Sequence, residues 1–222
     1  MNKSVIIVAG GSGTRIESDI PKQFLNLVNR PILMHSISAF HEYDKSINIV
    51  LVLPENSIEL WKKLCHQHNF TIKHNIVKGG SKRFFSVKNG LSKISDEGLT
   101  AVHDGARPLV KKETISLCFS VAEESGNAVP AIIPSDSMRI LKNEINNSID
   151  RNSLRIIQTP QVFNSTLLKK AFEQDFSEIF TDEANVVENY GGKINLVEGD
   201  KDNIKITFQN DIDYARSLLS DE

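Results

Sequence analysis

Short unbroken apolar runs alternate with stretches in which apolar residues recur every three or four positions, and this alternation organises most of the chain. "SVIIVA" has the continuous hydrophobicity of a strand buried on both faces, with Val5 to Val8 at its centre. "PILMHSISAF" then places Leu33, Ile37 and Phe40 on one helical face, and Pro31 suits a first helical turn. "INIVLVL" reads as a second buried strand, followed by a helix with Ile58, Trp61, Cys65 and His68 along one stripe. "TIKHNIV" alternates like a strand, and "RFFSVKNGLSKI" carries Phe84, Val87, Leu91 and Ile94 at helical spacing. "LTAVHD", a helix near residues 112 to 125, and "NAVPAII" continue the series. Repeated β–α units predict an α/β fold, a mostly parallel sheet with helices on both faces. Ligands of such sheets sit beyond the carboxyl ends of the strands, where strand order reverses.

The pattern breaks at about residues 134–157. "SMRILK" and "NSIDR" are short, polar-faced strand candidates joined by the turn-like "NEINN". A two-stranded ribbon is only marginally stable alone, so a protruding β-arm that packs on a partner subunit is expected. Beyond it, "NSTLLKKAFEQ" and "DEANVVENYGG" read as helices, the second stopped by Gly191-Gly192. "KINLVEG", "NIKIT" and a helix from about Asn210 complete one domain spanning residues 1–222.

Composition narrows the class. Hydrophobic residues make up 40% and charged residues 24% of the 222, as in a chain with a substantial core. A net charge of −2 gives no reason to expect a nucleic-acid partner. No apolar stretch approaches the ~20 residues of a membrane span, and Gly10 cuts the first apolar run too short for a good signal peptide. A cytoplasmic chain with two unpaired thiols, Cys65 and Cys118, is the expectation.

The candidate chemistry begins directly after the first strand, in "AGGSGTRIESDIPKQF". No lysine–hydroxyl pair follows these glycines, which excludes a P-loop, and Ile16 stands where a dinucleotide fingerprint needs its third glycine. Glycines nevertheless let backbone N–H groups approach an anion, and Arg15 and Lys22 add positive charge. By itself the loop is equally a glycine turn with surface cations. "KGGSKRFFSVKNGL" sets Gly79-Gly80 ahead of a helix opened by Arg83 and Ser86. "VHDGARP" ends a strand at Asp104, which suits Mg²⁺ or a substrate hydroxyl, although taken alone it reads better as a plain Asp–Arg turn with Arg107. Arg151, Thr159 and Lys205 supply further polar groups, and Lys205 fits an outward-facing edge position as well as a site. The six histidines show no metal-ligand spacing, and His103 reads as packing behind its loop rather than as a base.

Taken in order, "AGGSGTR…PKQF…GGSKRFFSVKNGL…VHDGARP…DRN…QTPQVF…TDEA…VEGDKDNIKIT" closely resembles the 2-C-methyl-D-erythritol 4-phosphate cytidylyltransferases, from residue 5 to about residue 215. The resemblance implies a Rossmann-like domain that joins CTP to a sugar-alcohol phosphate and releases pyrophosphate. Ala9, Gly10, Gly11 and Gly13 would wrap the CTP phosphates and part of the base, and Gly80, Ser81 and Ser86 would help select cytosine. Arg15 and Lys22 match the pair that stabilises the transition state at the α-phosphorus. Arg151 and Lys205 match the residues that position the methylerythritol phosphate. Asp104, Arg107, Ser137, Thr159 and Thr181 align with others lining that pocket. Mg²⁺ would bridge the CTP phosphates, with Asp104 near it or near a substrate hydroxyl. The arm would exchange between the subunits of a homodimer and donate Arg151 across it.

No general base is required, because a phosphate nucleophile is already ionised at neutral pH. Cations must instead offset repulsion between two anions. Gly10 and Gly105 stand where this family often has alanine, Ser81 where an acidic residue is common, and Ser137 where threonine is common. The glycine form of the first loop also occurs in the related ribitol 5-phosphate cytidylyltransferases, whereas "DRN" is nearer the methylerythritol branch. A non-catalytic nucleotide-binding protein is the remaining alternative, and it would have little use for the four cations.

Overall fold

The computed structural model describes residues 1–10 and 20–220. Twelve strands follow in chain order: β1 (Lys3–Val8), β2 (Asn26–Leu27), β3 (Arg30–Pro31), β4 (Asn48–Leu53), β5 (Asn75–Lys78), β6 (Leu99–Asp104), β7 (Asn127–Ile132), β8 (Met138–Lys142), β9 (Ile145–Ile149), β10 (Ile156–Ile157), β11 (Gln161–Asn164) and β12 (Leu196–Glu198). The helices are α1 (Ile32–Tyr43), α2 (Ile58–Gln67), α3 (Arg83–Leu91), α4 (Lys112–Ser125), α5 (Ser165–Ala171), α6 (Glu183–Asn189) and α7 (Gln209–Ser220).

The main sheet runs β10-β7-β11-β6-β1-β4-β5, and β12 also pairs with β7, off this path. β1 lies between β4 and β6 and is parallel to both. Alternate residues of the same strand serve opposite cores, as the pleat requires. Val5 and Ile7 of β1 pack with Ile37, Phe40 and Trp61 of α1 and α2, while Ile6 packs with Phe84 and Val87 of α3. Both faces are therefore covered, which explains the unbroken apolar runs. The chain travels outward from β1 to β5 and returns through α3 to β6 on the opposite side of β1, so strand order reverses between β1 and β6.

Several local expectations sharpen. Gly191 takes φ +97°, and the Gly192 and Gly191 amides donate to Val187 and Glu188 carbonyls, closing α6 with a Schellman turn. The ribbon is present as the separate β8–β9 pair. Only Asn143 and Glu144 form its turn, and Ile145–Asn147 belong to β9 rather than to the loop. "TIKH" stays outside β5, and "NIKIT" forms no strand. Its amides and carbonyls bond to loop and side-chain groups instead, Ile206 N to Ala106 O among them. β10 and β11 run antiparallel inside the otherwise parallel order, an arrangement the apolar pattern does not distinguish.

Candidate active site

Asp104 closes β6 opposite Val8 of β1, at the reversal point of the sheet. Its carboxylate is buried among cations. Lys205 Nζ lies 2.9 Å from Oδ2, Arg107 Nε 3.5 Å from the same oxygen, and Arg83 Nη2 3.4 Å from Oδ1. Burial alone would raise this carboxyl, but the charges of Arg83, Lys205 and Arg107 outweigh it and hold Asp104 well below the usual carboxylate range. An ionised carboxylate is thus fixed within a cluster of cations.

Neighbouring groups lock it in place. The Asp104 amide donates to Thr159 Oγ1 at 3.1 Å, and that hydroxyl lies 3.1 Å from His103 Nδ1. His103 Nε2 is 3.1 Å from the Arg107 carbonyl, which can only accept, so Nε2 carries the proton and Nδ1 accepts from Thr159. Burial pushes the His103 pKa down to about 4, which keeps the ring neutral. His103 is therefore a packing and hydrogen-bonding residue, as its sequence context suggests.

The segment carrying Lys205 is pinned from three sides. Arg107 Nη1 donates to Asn203 O at 2.7 Å, Asn203 Nδ2 to Thr159 O at 2.8 Å, and Lys22 Nζ to Ile206 O at 2.7 Å. Lys22 is buried in a 3₁₀ turn (Lys22–Phe24), and Gln23 beside it donates to Ala9 O at 2.8 Å. These contacts bring Lys22, Asp104, Arg107, Thr159 and Lys205 into one cluster and direct Lys205 towards Asp104.

A second wall comes from the loop before α3. The Gly80 amide donates to Ser86 Oγ at 3.0 Å, and Ser86 Oγ donates to Lys82 O at 3.1 Å. A Cβ on Gly80 would stand 2.3 Å from Phe85 Cβ, so only glycine fits there. Gly10 faces this wall: a Cβ at that position would meet Ser86 Oγ at 3.9 Å, ordinary contact that leaves room for alanine. Gly105 differs, because a Cβ would come within 2.9 Å of Leu33 Cδ1 and 3.0 Å of Ala9 Cβ.

Arg83 and Glu183 join the cluster without having stood among the expected site residues. Glu183 opens α6 with none of its surface exposed and takes both terminal nitrogens of Arg83, Nη2 to Oε2 at 3.0 Å and Nη1 to Oε1. Desolvation pushes the Glu183 carboxyl upward, while the facing guanidinium opposes that shift. Two signals were present, an arginine opening the helix after Gly79-Gly80 and an acidic residue in "TDEA", but nothing local connects them.

Other expected residues lie apart from Asp104. Thr181 donates to Asn185 Oδ1, two residues before Glu183. Ser81 is exposed just ahead of α3, and Ser137 is exposed just ahead of β8. Arg151 is exposed in a 3₁₀ turn and donates to Ser135 O, lining a groove beside β12 with Arg155 and Gly199. Within one chain it is not brought to the Asp104 cluster. Gly11, Gly13 and Arg15 lie outside the described residues. Among the described residues, no group of three His, Cys, Asp or Glu side chains is arranged to hold a metal ion, and no helix is long and apolar enough to cross a membrane.

A mostly parallel sheet with a basic, carboxylate-centred cluster at its reversal point is an α/β domain built to receive an anionic ligand beyond its strand ends. The solved 4-diphosphocytidyl-2C-methyl-D-erythritol synthase of Anaerococcus prevotii superposes with a TM-score of 0.83 at 26% identity, over 99% of this chain and 98% of that one. The 2-C-methyl-D-erythritol 4-phosphate cytidylyltransferase of Thermus thermophilus superposes with a TM-score of 0.80 at 28% identity, over 99% and 100%. Residues 4–221 match the model of the 2-C-methyl-D-erythritol 4-phosphate cytidylyltransferase family, and the chain belongs to that family. Relatives bearing that name include one from Bacteroides thetaiotaomicron, 44% identical over 99% of this chain and all of its own length. Another, from Azobacteroides pseudotrichonymphae, is 47% identical over 98% of both chains.

Proposed function

We propose that the chain transfers the cytidylyl group of CTP to 2-C-methyl-D-erythritol 4-phosphate, yielding CDP-methylerythritol and pyrophosphate. An oxygen of the methylerythritol phosphate forms a bond to the α-phosphorus of CTP. The bond from that phosphorus to the oxygen bridging it to the β-phosphorus breaks, and pyrophosphate leaves with the electron pair. The observation that carries the reading is the ionised Asp104 set among Arg83, Arg107 and Lys205 at the β1/β6 reversal, with Lys22 anchored on the same segment. Fixed cations aimed at a site of developing negative charge lower the barrier without reorganising during the reaction.

Lys22 and Arg15 take the role of stabilising charge at the α-phosphorus. Lys205 and Arg151 hold the sugar-alcohol phosphate, and Asp104, Arg107, Ser137, Thr159 and Thr181 complete its pocket. Ala9, Gly10, Gly11 and Gly13 cradle the triphosphate, while Gly80, Ser81 and Ser86 face the base. Two strands alone with exposed apolar side chains support a homodimer in which the β8–β9 arm crosses to the partner and presents Arg151 to the partner's site.

Lys22, Arg83, Arg107 and Lys205 outnumber the carboxylates Asp104 and Glu183, so the pocket suits an anion better than a free divalent cation. Mg²⁺ fits here as an ion carried by the triphosphate, since this metal characteristically keeps phosphate and water ligands. Its chemistry would be to neutralise phosphate charge. Asp104 accepts from Lys205 at Oδ2 and from Arg83 at Oδ1, so the ion's ligands would come mainly from the phosphates and water. A CTP-dependent reaction and the expectation from the apolar pattern together support a cytoplasmic location.

Pyrophosphate release with Mg²⁺ and CTP, compared between methylerythritol 4-phosphate and ribitol 5-phosphate, tests the reading. A strong preference for the first is expected. Gly10 matches the glycine form shared with the ribitol enzymes although space there would admit alanine, and preference for ribitol phosphate would establish that alternative. CTP binding without turnover of either acceptor would mark a non-catalytic nucleotide-binding protein.

A further inference from the structure

Glu183 is a carboxylate with no surface in water, a placement proteins tolerate when the charge is paired and hydrogen-bonded. Its two-point contact with Arg83 meets that requirement. Yet a buried ion pair stabilises little beyond what apolar residues of the same shape would provide, so folding alone does not account for it. What distinguishes the pair is its position. Arg83 opens α3 directly after the Gly80–Lys82 segment, and Glu183 opens α6 two residues after Thr181. The same guanidinium also reaches Asp104 Oδ1.

Sharing is unequal. Arg83 Nη2 lies 3.0 Å from Glu183 and 3.4 Å from Asp104. Glu183 is itself held by its helix, whose start is fixed by Asp182 accepting from the Asn185 amide and by Gln161 accepting from the Ala184 amide. Without the Glu183 charge, Arg83 would have Asp104 as its nearest carboxylate. A closer pair there would compete with Lys205 for Asp104 and turn the carboxylate.

We propose that Glu183 is a positioning residue for the transfer reaction: by holding Arg83 it sets the orientation of Asp104 and ties the wall facing the nucleotide to the segment facing the sugar-alcohol phosphate. This rests on the cytidylyltransferase reading above. In the full-length chain, Glu183→Gln should lower kcat/KM for methylerythritol phosphate by at least about tenfold while KM for CTP stays within about threefold. Loss of one buried charge also loosens the fold, so a second variant separates the two effects. Arg83→Met combined with Glu183→Leu removes both charges together and should return the melting temperature towards that of the wild type, while kcat/KM for the sugar-alcohol phosphate remains depressed. Recovery of wild-type kinetics along with the melting temperature would make the pair merely structural and overturn the proposal. Wild-type constants in Glu183→Gln would overturn it too. A wild-type chain that turns over neither acceptor would instead overturn the reaction, so the two failures are distinguishable.

Discussion

The Asp104 cluster and the β8–β9 hairpin solve opposite problems. Around Asp104, charged and polar side chains are taken out of water, and nearly every one finds its partner within the same chain. In the hairpin the backbone is paired, with Asn143 and Glu144 at φ +48° and +65° in a tight turn that matches strand twist. Its apolar side chains are not satisfied: Ile140, Leu141 and Ile145 remain 51%, 72% and 67% exposed. One region pairs most of its described charges within the chain. The other has the chemistry of a surface that awaits cover, which is why a second copy of the chain is the natural partner in the proposed mechanism.

Five measurements test that contrast. The largest effect is expected from Lys205→Ala, which removes a cation from the cluster. Turnover should fall by about 10²–10³-fold with little change in thermal melting, because the lysine side chain is 45% exposed. Near-normal turnover would remove Lys205 from the site.

Next comes acidity. His103 is neutral in the folded chain, with a pKa of about 4 against an ordinary 6.5. Between those values the unfolded chain binds a proton that the folded chain excludes, so stability rises with pH across this window. The contribution is complete above about pH 6.5 and lost towards pH 4, amounting to at most about 3 kcal/mol. Burial lowers His35 and His74 as well, so the informative quantity is a difference. Urea midpoints of His103→Gln should depend less steeply on pH than those of the wild type, and parallel slopes would exclude His103 as the source.

The hairpin offers the third. Ile140→Asp with Leu141→Asp should leave the main sheet folded, convert dimer to monomer in sedimentation, and lower turnover by about tenfold or more through loss of a positioning cation. Mixing Lys22→Ala with Arg151→Ala chains should restore part of the activity, since one site of each mixed dimer would regain both residues. No recovery would argue that Arg151 acts within its own chain or not at all. The smallest effect is expected at Lys62, whose pair with Glu59 lies on the exposed side of α2. Lys62→Ala should change stability by no more than about 0.5 kcal/mol, a baseline for the buried contacts.

Neighbouring residues were enough to read part of the fold. Unbroken apolar runs marked β1, β4 and β6 because each is buried on both faces, and Gly191 marked the end of α6 because that turn needs a left-handed residue. The ribbon was visible as a break in the same periodicity, and the order of motifs pointed to a cytidylyltransferase. Tertiary structure alone decided the rest. Residues 203–206 look like part of a strand, yet Arg107, Lys22 and Ala106 hold them as a loop and thereby turn Lys205 towards Asp104. β11 enters antiparallel between β6 and β7, carrying with it the Gln161 that fixes the start of α6. Arg83 and Glu183 stand 100 positions apart and share one buried contact. Periodicity records whether a side chain faces water or core. It does not record which distant charge will be waiting there, because that choice depends on where the whole sheet delivers its strand ends.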